Sequence, residues 1–159
     1  MTLLYSDPLF LKHETGRDHP ERAERLRAVA GLLEKTGLAK RCNRGQYKPL
    51  AEETVARLHA PKLVSQVRQI AEHGGKRIEA DTVVGPDSFT VALAAAGACV
   101  AAVDAVLKGP DQPALCLVRP PGHHATKVQS MGFCLFNNIA LAAQHARIAH
   151  QLKRVLIVD

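Results

Sequence analysis

Two apolar runs with one helical stretch between them constrain this chain more than anything else in it. Pro113–Val118 (PALCLV) and Arg154–Asp159 (RVLIVD) are short and aliphatic, and neither alternates with polar residues. Such runs suit strands buried on both faces of a sheet. Between them, Asn137–Lys153 reads as a helix, with Ile139, Ala142, Ala143, Ala146 and Ala149 available for packing. Strand, helix and strand in one sheet make a parallel βαβ unit, and such crossovers are right-handed. The expected class is therefore α/β, with a mainly parallel sheet and helices on both faces. Open sheets of this kind place ligands beyond the carboxyl ends of their strands. Chemistry is expected in the loop after Val118 and at Asp159, which closes the second run and is the last residue of the sequence.

The rest of the chain fills in around that unit. Thr2–Tyr5 is a short strand pattern, stopped by Ser6, Asp7 and Pro8. The segment from His13 to His19 is a polar loop. A helix is predicted from Pro20 to Gly37, with Leu26, Val29, Ala30, Leu32 and Leu33 on its packed face. Its charged residues Glu21, Arg22, Glu24, Arg25 and Arg27 are expected on the wet face. Leu50–His59 and Pro61–Glu72 read as two short helices, the second ended by Gly74 and Gly75. Asp81–Pro86 is predicted as a loop. A long helix follows, capped by Asp87 or Ser88 and stopped by Gly109 and Pro110. Its apolar stretch, Val91–Val106, is interrupted by Gly97 and Asp104, so it is read as a buried core helix and not as a membrane span.

Composition removes several classes of function. Over 159 residues, 47% are hydrophobic and 23% charged, which suits one globular domain and excludes a disordered tail. The start, MTLLYSDP, lacks the basic and apolar regions of a secretory signal, and the expected compartment is the cytoplasm. Cys42, Cys99, Cys116 and Cys134 are too far apart for a zinc knuckle, and they are expected as reduced thiols. The net charge of +6 is concentrated in residues 1–80, and the densest basic stretch, Lys35–Lys48, holds no acid. Aromatic residues are only 4% and Trp is absent, so base stacking has no support. The basic stretch is read as solvated surface rather than a nucleic-acid interface.

The strongest chemical feature is Arg119-Pro-Pro-Gly-His-His-Ala125, placed directly after a strand. Prolines and glycine restrict the loop, and two adjacent imidazoles are delivered at the sheet's active edge. Histidine titrates nearest neutrality, so a positioned imidazole can take or give a proton there. The remaining histidines are weaker candidates. His145 and His150, five apart on a helix, do not share a face and make poor co-ligands, while His59 and His73 are expected on the surface.

Taken in order, RPPGHHA, then Met131-Gly-Phe-Cys-Leu-Phe-Asn-Asn138, then RVLIVD resemble the histone deacetylase family. The likeness is greatest to its bacterial class II-like and acetylpolyamine amidohydrolase branch. The stretch His19-Pro-Glu-Arg-Ala-Glu-Arg-Leu26 fits as well, with Ala23 where the family usually has proline, and Asp81 to Ser88 matches the loop before the family's long helix. The resemblance implies an arginase/deacetylase fold of which residues 1–159 are the N-terminal portion. It further implies a zinc ion that polarises an amide carbonyl and activates a water, hydrolysing an acetylated amine. His123 and His124 would be the tandem proton-handling histidines, with His124 as the general base and acid. Asp159 would be a buried carboxylate orienting His123, and its carbonyl would face the structural monovalent cation of relatives. Phe133 would wall the channel for the substrate's aliphatic stem, although its residue type suits a core position equally well. The Gly132 carbonyl would accept a substrate hydrogen bond, and Asp81 would contact the substrate backbone.

The same resemblance defines what this chain lacks. The family's zinc ligands are an Asp-x-His pair just beyond the position of Asp159 and a later Asp, and its catalytic tyrosine comes later still. None has a counterpart here, and Tyr5 and Tyr47 match neither position. Residues 1–159 alone are thus expected to be inactive, with an apolar unpaired strand that favours self-association. The residues also accommodate a second reading, a short binding or regulatory module built on the front half of the fold. The substrate remains open among protein acetyl-lysine, an acetylated polyamine and other acylated amines.

Overall fold

A three-stranded parallel sheet forms the frame of the chain, whose computed structural model describes residues 1–109 and 113–159. β1 (Thr2–Ser6) is its central strand, flanked by β2 (Cys42–Arg44) and β5 (Ala114–Leu117). Leu4 lies opposite Arg44 on one side and Leu115 on the other, and Tyr5 lies opposite Cys116. The β1 to β2 connection passes through α1 (Ala23–Lys35), which makes the crossover that a parallel pair requires. A 3-10 turn, Pro8–Lys12, follows β1 directly, and the Asp7 carboxylate caps it by accepting from the Leu9 amide at 2.8 Å.

α4 (Ser88–Lys108) is the organising helix. Its length and hydropathy match a membrane span, yet it serves as the core helix. Helices apolar on every side belong inside a protein, and alanine lets neighbours approach from every side. Phe89, Ala92 and Ala96 join one core with Val64, Val67 and Ile70 of α3 (Pro61–Glu72). Val91, Ala94, Ala95, Ala98 and Ala102 join a second core with Tyr5, Phe10 and Leu26. At Gly97 a Cβ would overlap the Lys48 carbonyl, so glycine permits the incoming strand-like segment to cross α4 in direct contact. α5 (Asn138–Ala149) packs along α4 through Leu141, Ala142 and Ala146.

The α/β class and its parallel sheet therefore agree with the sequence pattern, but several local expectations do not. Arg154–Asp159 forms no strand ladder among the described residues, and Leu156 and Val158 are 86% and 84% exposed. An aliphatic run prefers burial, but a strand exists only where a neighbour satisfies its backbone, and the outer edge of β5 is not joined here. β5 itself is correspondingly only half-buried, with Leu115 exposed. α1 begins at Ala23, and its expected packed residues Val29 and Leu32 are exposed. Glu21 is buried instead of solvated.

The Leu50–His59 helix contracts to α2 (Glu52–Val55). α5 stops at Ala149, four residues early, and exposes Ile139 and Ala149. Asp81–Pro86 is not a plain loop, because β3 (Lys76–Glu79) and β4 (Thr82–Val84) pair as an antiparallel hairpin. The α4 stop at Gly109 is as expected, while Pro110 lies outside the described residues.

Candidate active site

The loop that carries His123 and His124 is anchored at both ends by buried polar contacts. At its start, the Arg119 guanidinium grips the Glu21 carboxylate through two hydrogen bonds of 2.6 and 2.8 Å, and donates a third to the Phe10 carbonyl at 3.2 Å. Both side chains are almost wholly enclosed, at 3% and 2% exposure. A planar guanidinium matches a carboxylate in this two-pronged manner better than any other cation. The pair joins the HPERAERL stretch to the RPPGHHA stretch across 98 positions of sequence.

The far end of the loop is held by the start of α5. Asn137 caps the helix by accepting from the Ala140 amide at 3.0 Å, while its amide group donates to the Ala125 carbonyl at 3.0 Å and the His123 carbonyl at 3.4 Å. The Asn138 amide group donates to the Pro120 carbonyl at 3.1 Å. Gly122 is needed for this approach, because a Cβ there would lie 2.5 Å from the Asn138 nitrogen.

His59 completes the anchoring and corrects an expectation, since it is buried at 2% exposure rather than on the surface. Its Nδ1–H donates to the Thr126 carbonyl at 2.8 Å and its Nε2 accepts from the Asn137 amide at 2.9 Å, which specifies one neutral tautomer. Burial lowers its pKa, outweighing the Thr126 hydrogen bond that acts the other way. His73 is exposed, as expected.

Between these anchors His123 and His124 stand exposed, with ring centroids 4.2 Å apart at a steep angle. The His124 ring rests on Gly132, where a Cβ would come within 2.7 Å of its Cδ2. Gly132 and Phe133 both adopt left-handed backbone conformations, with φ of 55° and 69°. For Phe133 this is a strained state, and it is held by Thr82, whose Oγ1 accepts from the Phe133 amide at 3.0 Å and donates to the Asp81 carboxylate at 2.9 Å. The Gly132 carbonyl accepts from the Cys134 thiol at 3.3 Å.

Phe133 and Asp81 are thereby brought to one groove, shared with His19 and Pro20. His19 meets Phe133 edge-on at 5.0 Å and donates from Nε2 to the Asp81 carbonyl at 2.9 Å. The turn of the β3–β4 hairpin thus positions Asp81.

Asp159 lies at the end of an exposed segment. It is exposed, and no hydrogen bond to His123 occurs among the described residues, although both line one hollow beside Gly122 and Ile157. A carboxylate is buried only where surrounding chain encloses it, and the segment leading to Asp159 is itself exposed.

His19, Glu21 and His59 are the site residues that residue type and spacing did not single out. Only the HPERAERL stretch signalled the first two. Catalytic zinc requires three protein ligands with one position open. Among the described residues no three donor side chains converge at the 119–125 loop, so this chain's residues do not by themselves fit that ion.

Beneath the site, His13 is enclosed between Ser88, 2.7 Å from its Nδ1, and Glu21, 3.6 Å from its Nε2. Burial, then the charge of Arg119, push its pKa down from 6.5 to about 3. The folded chain refuses a proton that the unfolded chain accepts. The associated stability is therefore complete above pH 6.5 and is lost as pH falls from 6.5 towards 3. Urea unfolding at pH 7 and pH 4 is expected to differ by a few kcal/mol from this group alone. His13→Gln should flatten that part of the pH dependence, and an unchanged slope would refute the assignment.

Comparison with known proteins agrees with this geometry. Residues 19–159 match the histone deacetylase domain family. The human polyamine deacetylase HDAC10 is 43% identical over 145 residues, covering 87% of this chain. A histone deacetylase-like amidohydrolase of Pseudomonas aeruginosa is 37% identical over 141 residues, covering 89%. The crystal structure of the HDA15 HD domain superposes with a TM-score of 0.85 at 32% identity, over 93% of this chain and 43% of that one. The chain spans 22% of the human relative and 37% of the Pseudomonas relative. With the tandem-histidine loop, the Gly132–Phe133 turn and the deacetylase-like α/β frame in place, the chain belongs to the histone deacetylase family.

Proposed function

We propose that residues 1–159 are the N-terminal portion of one deacetylase domain, a hydrolase that cleaves the acetyl group from an acetylated amine. The observation that carries this reading is the juxtaposition at the end of β5. Two exposed imidazoles in contact are backed by Gly132, next to the aromatic wall of Phe133 and the groove it shares with Asp81. Amide hydrolysis requires that a water lose a proton and that the leaving nitrogen gain one, and an imidazole does both near neutral pH. His124 is assigned that exchange, with His123 beside it and Asp159 orienting His123. Phe133 suits the aliphatic stem of a lysine or polyamine substrate, and Asp81 and the Gly132 carbonyl supply polar contacts at the rim.

In this reading the family's zinc is held by residues outside 1–159, a monovalent cation sits near Asp159, and the protein works in the cytoplasm. Relatives described as a polyamine deacetylase and an amidohydrolase support the acetylated-amine class.

One observation favours the second reading, a non-catalytic module: no metal-donor trio converges at the loop among the described residues. The test assays acetyl-lysine peptides and acetylated polyamines with the full-length gene product and with residues 1–159 alone. Turnover by the first and none by the second is expected. A gene product that ends at Asp159, folds, and binds acetylated amines without turnover would establish the module.

A further inference from the structure

At the end of α5 remote from the histidine loop, three side chains that no part of the deacetylase reading uses converge on one point. α5 rises about 1.5 Å per residue, so His150 lies about 18 Å along it from Asn138, which holds the loop. Asp104 comes from the last turns of α4. His145 and His150 present their Nε2 atoms to its Oδ1 at 2.8 and 2.6 Å. On an ideal helix two residues five apart face different directions. Here α5 ends at Ala149, Gln151 takes a left-handed conformation with φ of 55°, and the Leu152 amide donates back to the Ala146 carbonyl at 3.2 Å. A left-handed residue just past the cap is a common way to end a helix, although here it is not the usual glycine. It leaves His150 as the cap residue, free of the helical spacing, with its ring 5.5 Å from that of His145.

From this arrangement we infer a second metal site, in which Asp104, His145 and His150 bind a borderline divalent transition ion such as Zn²⁺ and clasp α5 to α4. Two imidazole nitrogens and one carboxylate oxygen are the donor set that such ions prefer, whereas Ca²⁺ and Mg²⁺ prefer oxygen alone. The three donor atoms all lie within 4.8 Å of one another. A tetrahedral ion with bonds of 2.0–2.1 Å holds its ligands about 3.3 Å apart, so the carboxylate retreats by a fraction of an ångström and the two imidazoles rotate to bring their nitrogens to that spacing. All three side chains are half-buried, and Asp104 also lines an open groove with Tyr5, Arg44 and Gly45, through which its carboxylate is reached from solvent. Lys108 approaches the same carboxylate oxygen at 3.7 Å and opposes a cation, but its side chain is exposed and can swing clear.

The test is a Co²⁺ titration of the untagged chain, read by visible absorption and by NMR of the histidine ring protons. One equivalent of Co²⁺ is expected to bind, with paramagnetic shifts confined to His145 and His150 among the histidines. His150→Ala should weaken binding on the order of 10–100-fold or more, while His123→Ala should bind as the parent does. Absence of stoichiometric uptake would overturn the site, as would shifts centred on His123 and His124, or undiminished binding by His150→Ala. Should His150→Ala fail to fold, the ring-proton shifts of the unsubstituted chain decide the question. Uptake of the ion without deacetylation is the expected behaviour of residues 1–159, so this site stands or falls separately from the proposed activity.

Discussion

Arg119→Met is expected to destabilise the chain by about 3–5 kcal/mol, since it strands a carboxylate that has almost no access to water. For a chain of this length each kcal/mol moves the thermal midpoint by about 2–4 °C, so a fall of roughly 10 °C should be visible by circular dichroism. The cost arises from the abandoned partner and not from the strength of the pair itself. Taking two charges out of water nearly cancels their attraction, whereas one buried charge left alone has nothing to offset it. The double variant Glu21→Met with Arg119→Met should consequently recover most of the loss, and the cycle of the four proteins measures the coupling. A single variant that melts within about 1 °C of the parent would show that Glu21 finds water or another partner, which its present burial forbids. In an active full-length protein the same substitution should also lower turnover, because Arg119 anchors the loop that carries His123 and His124.

His124→Ala in the full-length protein is expected to lower kcat by ~10²–10⁴-fold, the usual contribution of general acid–base transfer. The loss should fall on kcat and leave KM nearly unchanged, because proton exchange is completed in the transition state and not on binding. The His124 side chain is exposed and makes no hydrogen bond among the described residues, so stability should change by no more than a surface substitution does, about 0.5 kcal/mol. Turnover near that of the parent, in a variant with an intact circular dichroism spectrum, would remove His124 from the proposed mechanism. Its structural neighbour allows a second check: Gly132→Ala places a methyl against the His124 ring and should reduce kcat while His124 is still present.

Much of this molecule is legible in the chain itself, and the legible parts share a physical cause. α3 and α4 follow from local information: a proline at the first helical position of α3, and in α4 a long apolar stretch, broken at Gly97 and Asp104, that ends at Gly109. β1 and β5 follow from short aliphatic runs bounded by turn residues. RPPGHHA likewise announces its site from one segment, since prolines, glycine and adjacent imidazoles need only one another to be recognised.

What the sequence by itself left undecided depends on partners far away along the chain. Glu21 reads as a solvated helix residue until Arg119 encloses it, and His59 reads as surface until Thr126 and Asn137 occupy both of its nitrogens. Helical spacing separates His145 from His150, and the left-handed turn at Gln151 brings them together on Asp104. The aliphatic side chains of Val155–Val158 call for burial, but no described strand accepts their backbone and they remain exposed. Residue type states what environment a side chain prefers, whereas only the packed chain decides whether a neighbour arrives to provide it. Local pattern therefore determined the elements and the histidine loop. Tertiary contact alone decided which charges are buried, which histidines are neutral, and which side chains meet.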